Sequence, residues 1–207
     1  MSEVAFRSRS WDGSRPLRVL IASSFREKKG IPIALDALAT IRQRVPISVT
    51  LVGDASAYGP EQQEKTRILE VIARTGMDDV VRRLGFVSHA ELLRLALEHD
   101  MFVAASTTAA DGDSEGTPMA LVELAATGVI VVTTRHADIP EIVLDETTGF
   151  LAEQGQRDSF IDALERAIAQ EVRWPSIGAA ARAHISGEFD ADTQGLRLAA
   201  LYQRVAR

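Results

Sequence analysis

Residues 115–134 read Glu115-Gly116-Thr117-Pro118-Met119-Ala120-Leu121-Val122-Glu123-Leu124-Ala125-Ala126-Thr127-Gly128-Val129-Ile130-Val131-Val132-Thr133-Thr134. Thr117 is an N-cap residue type, and Pro118 suits the first helical position, where its missing N–H is no loss. Met119, Val122 and Ala126 fall on one helical stripe, and Gly128 is the expected stop. Val129 through Val132 is an unbroken β-branched run, the pattern of a strand buried on both faces. A helix feeding such a strand is part of a parallel βαβ unit, so this stretch predicts an α/β fold.

Working outward, apolar strand patterns stand at residues 17–22, 47–52, 80–86, 101–104 and 149–151. Helical periodicity covers residues 31–45, 60–75, 139–144, 158–172, 174–188 and 191–205. Ser88-His89-Ala90-Glu91 is a capping box that opens a further helix ending at Glu98. Strands alternating with helices give a doubly wound, Rossmann-like parallel sheet of about six strands. Residues 1–16 carry no sustained period and read as a tail or linker; residues 17–190 form the domain, and residues 191–207 a C-terminal helix. Ligands of such sheets bind beyond the carboxyl ends of the strands. The loops at Ser23, Gly53, Val87, Ser106 and Thr133 are therefore expected to line one crevice.

Two carboxylates frame the start of the 117–128 helix: Glu115 just before the cap, and Glu123 about two turns inside. A helix start offers unpaired N–H groups and a partial positive charge, which suit phosphate. Carboxylates repel phosphate but accept hydrogen bonds from hydroxyls. A ligand with phosphate in the middle and polyols at both ends, such as a nucleotide sugar, satisfies all three. Glutamate near a helix start also occurs as simple dipole complement, and spacing alone leaves both readings open. Lys28 and Lys29 follow the first strand, where phosphate-binding loops sit, although a solvated charge run has the same look.

Bulk properties narrow the field. The 207 residues suffice for one full α/β domain that buries roughly 70% of its unfolded surface. A formal charge of −6 argues against non-specific nucleic-acid binding, which needs a basic footprint. Cysteine is absent, which excludes disulfides and thiolate metal sites. No apolar run reaches membrane-span length and no secretory h-region is visible, so a cytoplasmic protein is expected.

Glu115-Gly116-Thr117-Pro118 through Glu123 resembles the E-x7-E motif of retaining GT-B glycosyltransferases of group 1 (family 4). Ala126-Thr127-Gly128, Val131-Val132, Ile139-Pro140-Glu141 and Thr148-Gly149-Phe150-Leu151 match the context of that motif, and the resemblance runs from about Leu17 onward. It implies the C-terminal, donor-binding half of a GT-B fold. Glu115 is then expected to hold sugar hydroxyls and Glu123 the ribose, with Gly116, Thr117 and Pro118 lining the donor site. Phe25-Arg26-Glu27-Lys28-Lys29-Gly30 is similar to the family segment whose Lys before Gly meets the donor diphosphate, which assigns Lys29. The family often has Gly-Arg upstream; here Ser23-Ser24 stand there, and Arg26 is the candidate substitute. Phe86-Val87 resembles the segment whose backbone pairs with the nucleobase edge, and Gly53 a glycine that lets backbone approach the ligand. His136 lies where many members carry a Gly pair and is expected to face the crevice, whereas His89 and His99 are expected to be structural. Asp111 and Asp113 read as a hydrated turn.

By the same resemblance the nucleotide sugar is a substrate, and no cofactor or metal is expected. The acceptor-binding N-terminal domain is missing, as in a truncated chain or a split gene product. The helix at residues 191–207 would cross to that domain. Without it, Leu196, Leu198, Leu201, Tyr202 and Val205 stay exposed or pair two copies as a homodimer. The full enzyme could lie peripherally at the inner membrane. Two other functions fit the same residues: a non-catalytic nucleotide-sugar binding or regulatory module, and a fragment of a GT-B nucleotide-sugar epimerase.

Overall fold

In the computed structural model, which describes residues 4–205, six strands form one wholly parallel sheet. The strands are β1 (Leu17–Ala22), β2 (Ile47–Val52), β3 (Val81–Gly85), β4 (Met101–Val103), β5 (Ile130–Arg135) and β6 (Phe150–Glu153), in the order β3-β2-β1-β4-β5-β6. Helices α1 (Ile31–Arg42), α2 (Pro60–Arg74) and α6 (Arg157–Ala169) cover one face. Helices α3 (His89–Glu98), α4 (Met119–Ala125) and α5 (Ile139–Ile142) cover the other, and α7 (Trp174–Glu188) reaches both cores, with Trp174 and Ile177 in the first and Ile185 in the second. Helix α8 (Ala191–Val205) buries none of its residues. No helix among the described residues is long and apolar enough to cross a membrane.

Alternation within each strand feeds the two cores. Val19, Ile21, Val49, Leu51, Met101 and Val103 pack against α1, α2 and α6; Leu20, Val52, Phe102 and Val131 pack under α3, α4 and α5. Strand order reverses between β1 and β4, and there the loops after these two strands part to leave a crevice.

Three expectations are corrected. Helix α4 starts at Met119, with Pro118 in the N-cap position (φ −74°, ψ 97°) and no side-chain cap. The Thr117 hydroxyl instead lies 3.4 Å from Asp138 Oδ2. Met119 is exposed, whereas Val122 and Ala126 of the expected stripe are buried together with Leu121, Leu124 and Ala125. Residues 4–16, expected as a tail, carry no helix or strand yet are packed on the domain. The Arg9 guanidinium is buried and donates to the carbonyls of His99 (2.8 Å) and Ala96 (2.7 Å); burial lowers its pKa to about 10. Trp11 stacks on the fully buried Trp174 at 6.2 Å, and Arg15 pairs with Asp100 at 2.5 Å. Contacts made by single, widely spaced residues leave no period to read.

Candidate functional site

The two loops at the switch point bring Lys29 and Glu115 together. Lys29 ends a 3-10 turn (Glu27–Lys29) after β1. Gly30 follows in the left-handed region, and a Cβ there would lie 1.9 Å from the Ala105 carbonyl oxygen, so only glycine lets the two loops close. Glu115 sits in the loop of residues 104–118 between β4 and α4. Lys29 Nζ lies 2.6 Å from Glu115 Oε1. The carboxylate is 7% exposed and the ammonium 22% exposed, so this is a largely buried ion pair. A carboxylate has about four lone-pair sites, so Glu115 can accept from a further donor while it faces Lys29.

A small cavity of about 30 Å³ opens here. Ser23, Lys29, Ala104, Ser106, Pro118 and Ala120 are among its walls. Gly116 faces open space, where a Cβ would meet no atom within 4 Å. At the start of α4 the first N–H groups lack intrahelical partners.

His136 is 3% exposed and does not face the crevice as expected. Its Nε2 accepts the Glu115 backbone N–H at 3.1 Å, and its Nδ1 lies 2.6 Å from Gln154 Oε1. Arg26 does not line the cavity of Lys29. It pairs with Asp113 (3.0 Å) and Glu61 (3.9 Å) and lines a neighbouring charged cleft of about 100 Å³. Asp113, expected in a hydrated turn, bridges Arg26 and Lys28, whose Nζ is 2.9 Å away; the Lys28 ammonium holds its carboxyl below the usual range. Lys28 also donates to the Ser114 carbonyl, so the loop of residues 104–118 is latched to the β1 loop. Gly53 admits backbone of the protein, not of a ligand: its φ is 119°, and a Cβ would lie 1.8 Å from the Ser23 carbonyl oxygen. Val87 packs its side chain on the second core, while Phe86 is 68% exposed beside it.

Glu123 lies one turn into α4, and its Oε2 is 3.0 Å from His89 Nε2. A carboxylate only accepts, so that nitrogen carries the proton. His89, expected to be structural, is thus a site neighbour. His99 is structural: it is buried, bonded to the Leu95 carbonyl and the Thr50 hydroxyl, and burial lowers its pKa. Sequence reading missed Gln154, although it lies just past the carboxyl end of β6, where the same strand-end rule applies.

A fold and a crevice of this kind define a doubly wound, Rossmann-like class. The chain belongs to the glycosyl transferases group 1 family, whose model matches residues 6–184. It is 35% identical to the amylovoran biosynthesis glycosyltransferase AmsK of Erwinia amylovora over 93% of this chain and 46% of that protein. It is 27% identical to Anabaena Alr3699/HepE, solved in complex with UDP, with a TM-score of 0.79 over 93% of this chain and 50% of the other. The C-terminal domain of a group 1 glycosyl transferase, LpcC, from Francisella tularensis shares the fold at 18% identity. Its TM-score is 0.76, over 92% of this chain and 97% of that one. The chain spans about half the length of the curated relatives it matches. Its fold is the Rossmann-like C-terminal half of a GT-B glycosyltransferase.

Proposed function

We propose that the chain is the donor-binding half of a retaining glycosyltransferase, which transfers a hexosyl group from a nucleotide sugar to a saccharide or lipid-linked acceptor. The observation that carries this is the largely buried Lys29–Glu115 ion pair across the switch-point crevice, whose carboxylate has lone pairs left for a further donor. A sugar hydroxyl is such a donor, and a diphosphate beside it is the anion that Lys29 would meet when its present partner is engaged elsewhere. As the bond from the anomeric carbon to the diphosphate breaks, charge grows on the leaving oxygen, and a positioned ammonium stabilises it. Gly116 to Pro118 and the start of α4 supply space and N–H groups for the donor. Glu123 accepts from ribose hydroxyls, its second oxygen held by His89. Nucleotide binding by the HepE relative supports the ligand class.

The acceptor would come from an N-terminal half, as in relatives about twice as long. A thermal-shift screen of UDP-, GDP- and ADP-sugars tests donor binding, and absence of any response to all three would overturn the reading. A turnover assay with the acceptor half supplied separately tests transfer. Donor binding with no turnover in that assay would favour a regulatory nucleotide-sugar module.

A further inference from the structure

We propose that His136 and Gln154 are positioning residues that hold the Glu115 segment in its donor-ready shape, with Gln154 setting the histidine tautomer. This rests on the donor-binding reading above. A backbone N–H can only donate, so the His136 Nε2 that faces the Glu115 N–H must be bare. A neutral imidazole then carries its proton on Nδ1, and that nitrogen needs an acceptor. Gln154 Oε1 supplies it at 2.6 Å. The three groups form a directed chain from β6 through the β5 loop to the Glu115 backbone. With the glutamine amide reversed, or the other tautomer, one contact would set hydrogen against hydrogen.

Two observations show that the structure invests in this arrangement. Ala137 is in the left-handed region (φ 46°), a strained conformation for a non-glycine residue. The turn is closed on either side by bonds from the His136 N–H to the Thr134 carbonyl and from the Ile139 N–H to the His136 carbonyl. The strained turn delivers a buried imidazole to one backbone amide. That amide belongs to the residue whose carboxylate pairs with Lys29 at 2.6 Å. The loop of residues 104–118 is long, and long loops inside compact domains are commonly functional. Lys28 ties it at Asp113 and Ser114, and His136 at Glu115.

The experiment combines calorimetry with imidazole NMR on the 207-residue chain. Nitrogen-15 spectra should show His136 as the Nδ1–H tautomer, and Gln154→Leu should mix the tautomers while Gln154→Glu preserves them. For whichever of the UDP-, GDP- or ADP-sugars binds, His136→Leu should weaken the nucleotide sugar about tenfold and leave the matching free nucleotide within about twofold. His136→Gln, whose Oε1 can replace the Nε2 acceptor, should recover most of the loss. Combining His136→Leu with Glu115→Gln should be little worse than Glu115→Gln alone, because both act through one contact. If His136→Leu does not fold, Gln154→Leu carries the same comparison. An Nε2–H tautomer in the wild type would overturn the proposal. So would equal loss for both ligands, or no loss for either, in a folded variant. If the wild type binds no nucleotide sugar while the tautomer is as expected, the donor-binding reading fails and the positioning role falls with it.

Discussion

Glu115 and Glu123 have opposite surroundings. Glu115 has an amide tied to His136 and a buried oxygen beside Lys29, whereas Glu123 is partly open and paired with an exposed histidine. Glu123→Gln should therefore weaken nucleotide sugar and free nucleotide alike, by the roughly 1.5–3 kcal/mol of a charge-assisted hydrogen bond. Glu115→Gln should weaken only the sugar-bearing ligand. Calorimetry with both ligands reads the difference, and unchanged nucleotide affinity in Glu123→Gln would remove that residue from the site. Lys29 and Glu115 were legible in the sequence because each sits in a local motif. Gln154, Asp113 and the His89–Glu123 contact were not, since each depends on residues brought close only by the sheet.

Elements of this fold are set by local chemistry, and their junctions by backbone proximity. The ends of β2, α3 and α7 follow directly from periodicity and capping: the Ser88 hydroxyl accepts from the Glu91 N–H at 3.2 Å, as the capping box requires. The start of α4 slipped by one residue because Thr117 turned to Asp138, a partner far along the chain. Strand β5 is buried as its apolar run demands, but it lies second from the edge; helices on both faces, not a central place, exclude water from it. Glycines record the tight junctions. Gly53→Ala should cost at least about 2 kcal/mol, because it combines an unfavourable φ with a backbone collision at Ser23. Gly76→Ala is the control: its φ is 65° with open space around it, so it should cost only about 1–2 kcal/mol. Urea unfolding of both variants measures the gap, and equal costs would mean that the β1 and β2 loops can move apart.

Across the whole molecule, the N-terminal segment and α8 look alike in sequence, as flanks of a domain, yet they relate to it differently. Residues 4–16 are anchored at the end of the sheet opposite the crevice through Arg9, Trp11 and the Arg15–Asp100–Arg18 cluster. Burial pushes the Asp100 carboxyl up, but hydrogen bonds from Arg15 and Arg18 outweigh it and hold the group below its usual range. A depressed carboxylate adds stability above its unfolded value, near pH 4, and loses it as pH falls through the folded value. Asp100→Asn should thus cost about 2 kcal/mol at pH 7. That is less than the roughly 3–5 kcal/mol of a fully buried pair, because both guanidiniums reach solvent, and the cost should shrink toward pH 3. A pH-independent difference in urea midpoints would show that the loss comes from the changed donor and acceptor pattern and not from the charge. Helix α8 has no such anchor. It buries no residue, exposes Leu196, Leu201, Tyr202 and Val205, and is held chiefly by Arg197 on Glu188 and Gln194 on the Glu188 carbonyl. Its apolar face has more to offer a partner than its own domain, and exposed patches of this kind mark interfaces. Deleting residues 191–207 should therefore shift Tm by no more than about 2 °C, the scale of a surface change in a domain of this size. The same deletion should weaken binding to a separately expressed acceptor half at least tenfold. A fall in Tm of about 8 °C would mean that α8 belongs to this domain's core. Undiminished binding to the acceptor half would mean that the helix serves some other contact, and sedimentation of the intact chain would then show whether that contact is a second copy.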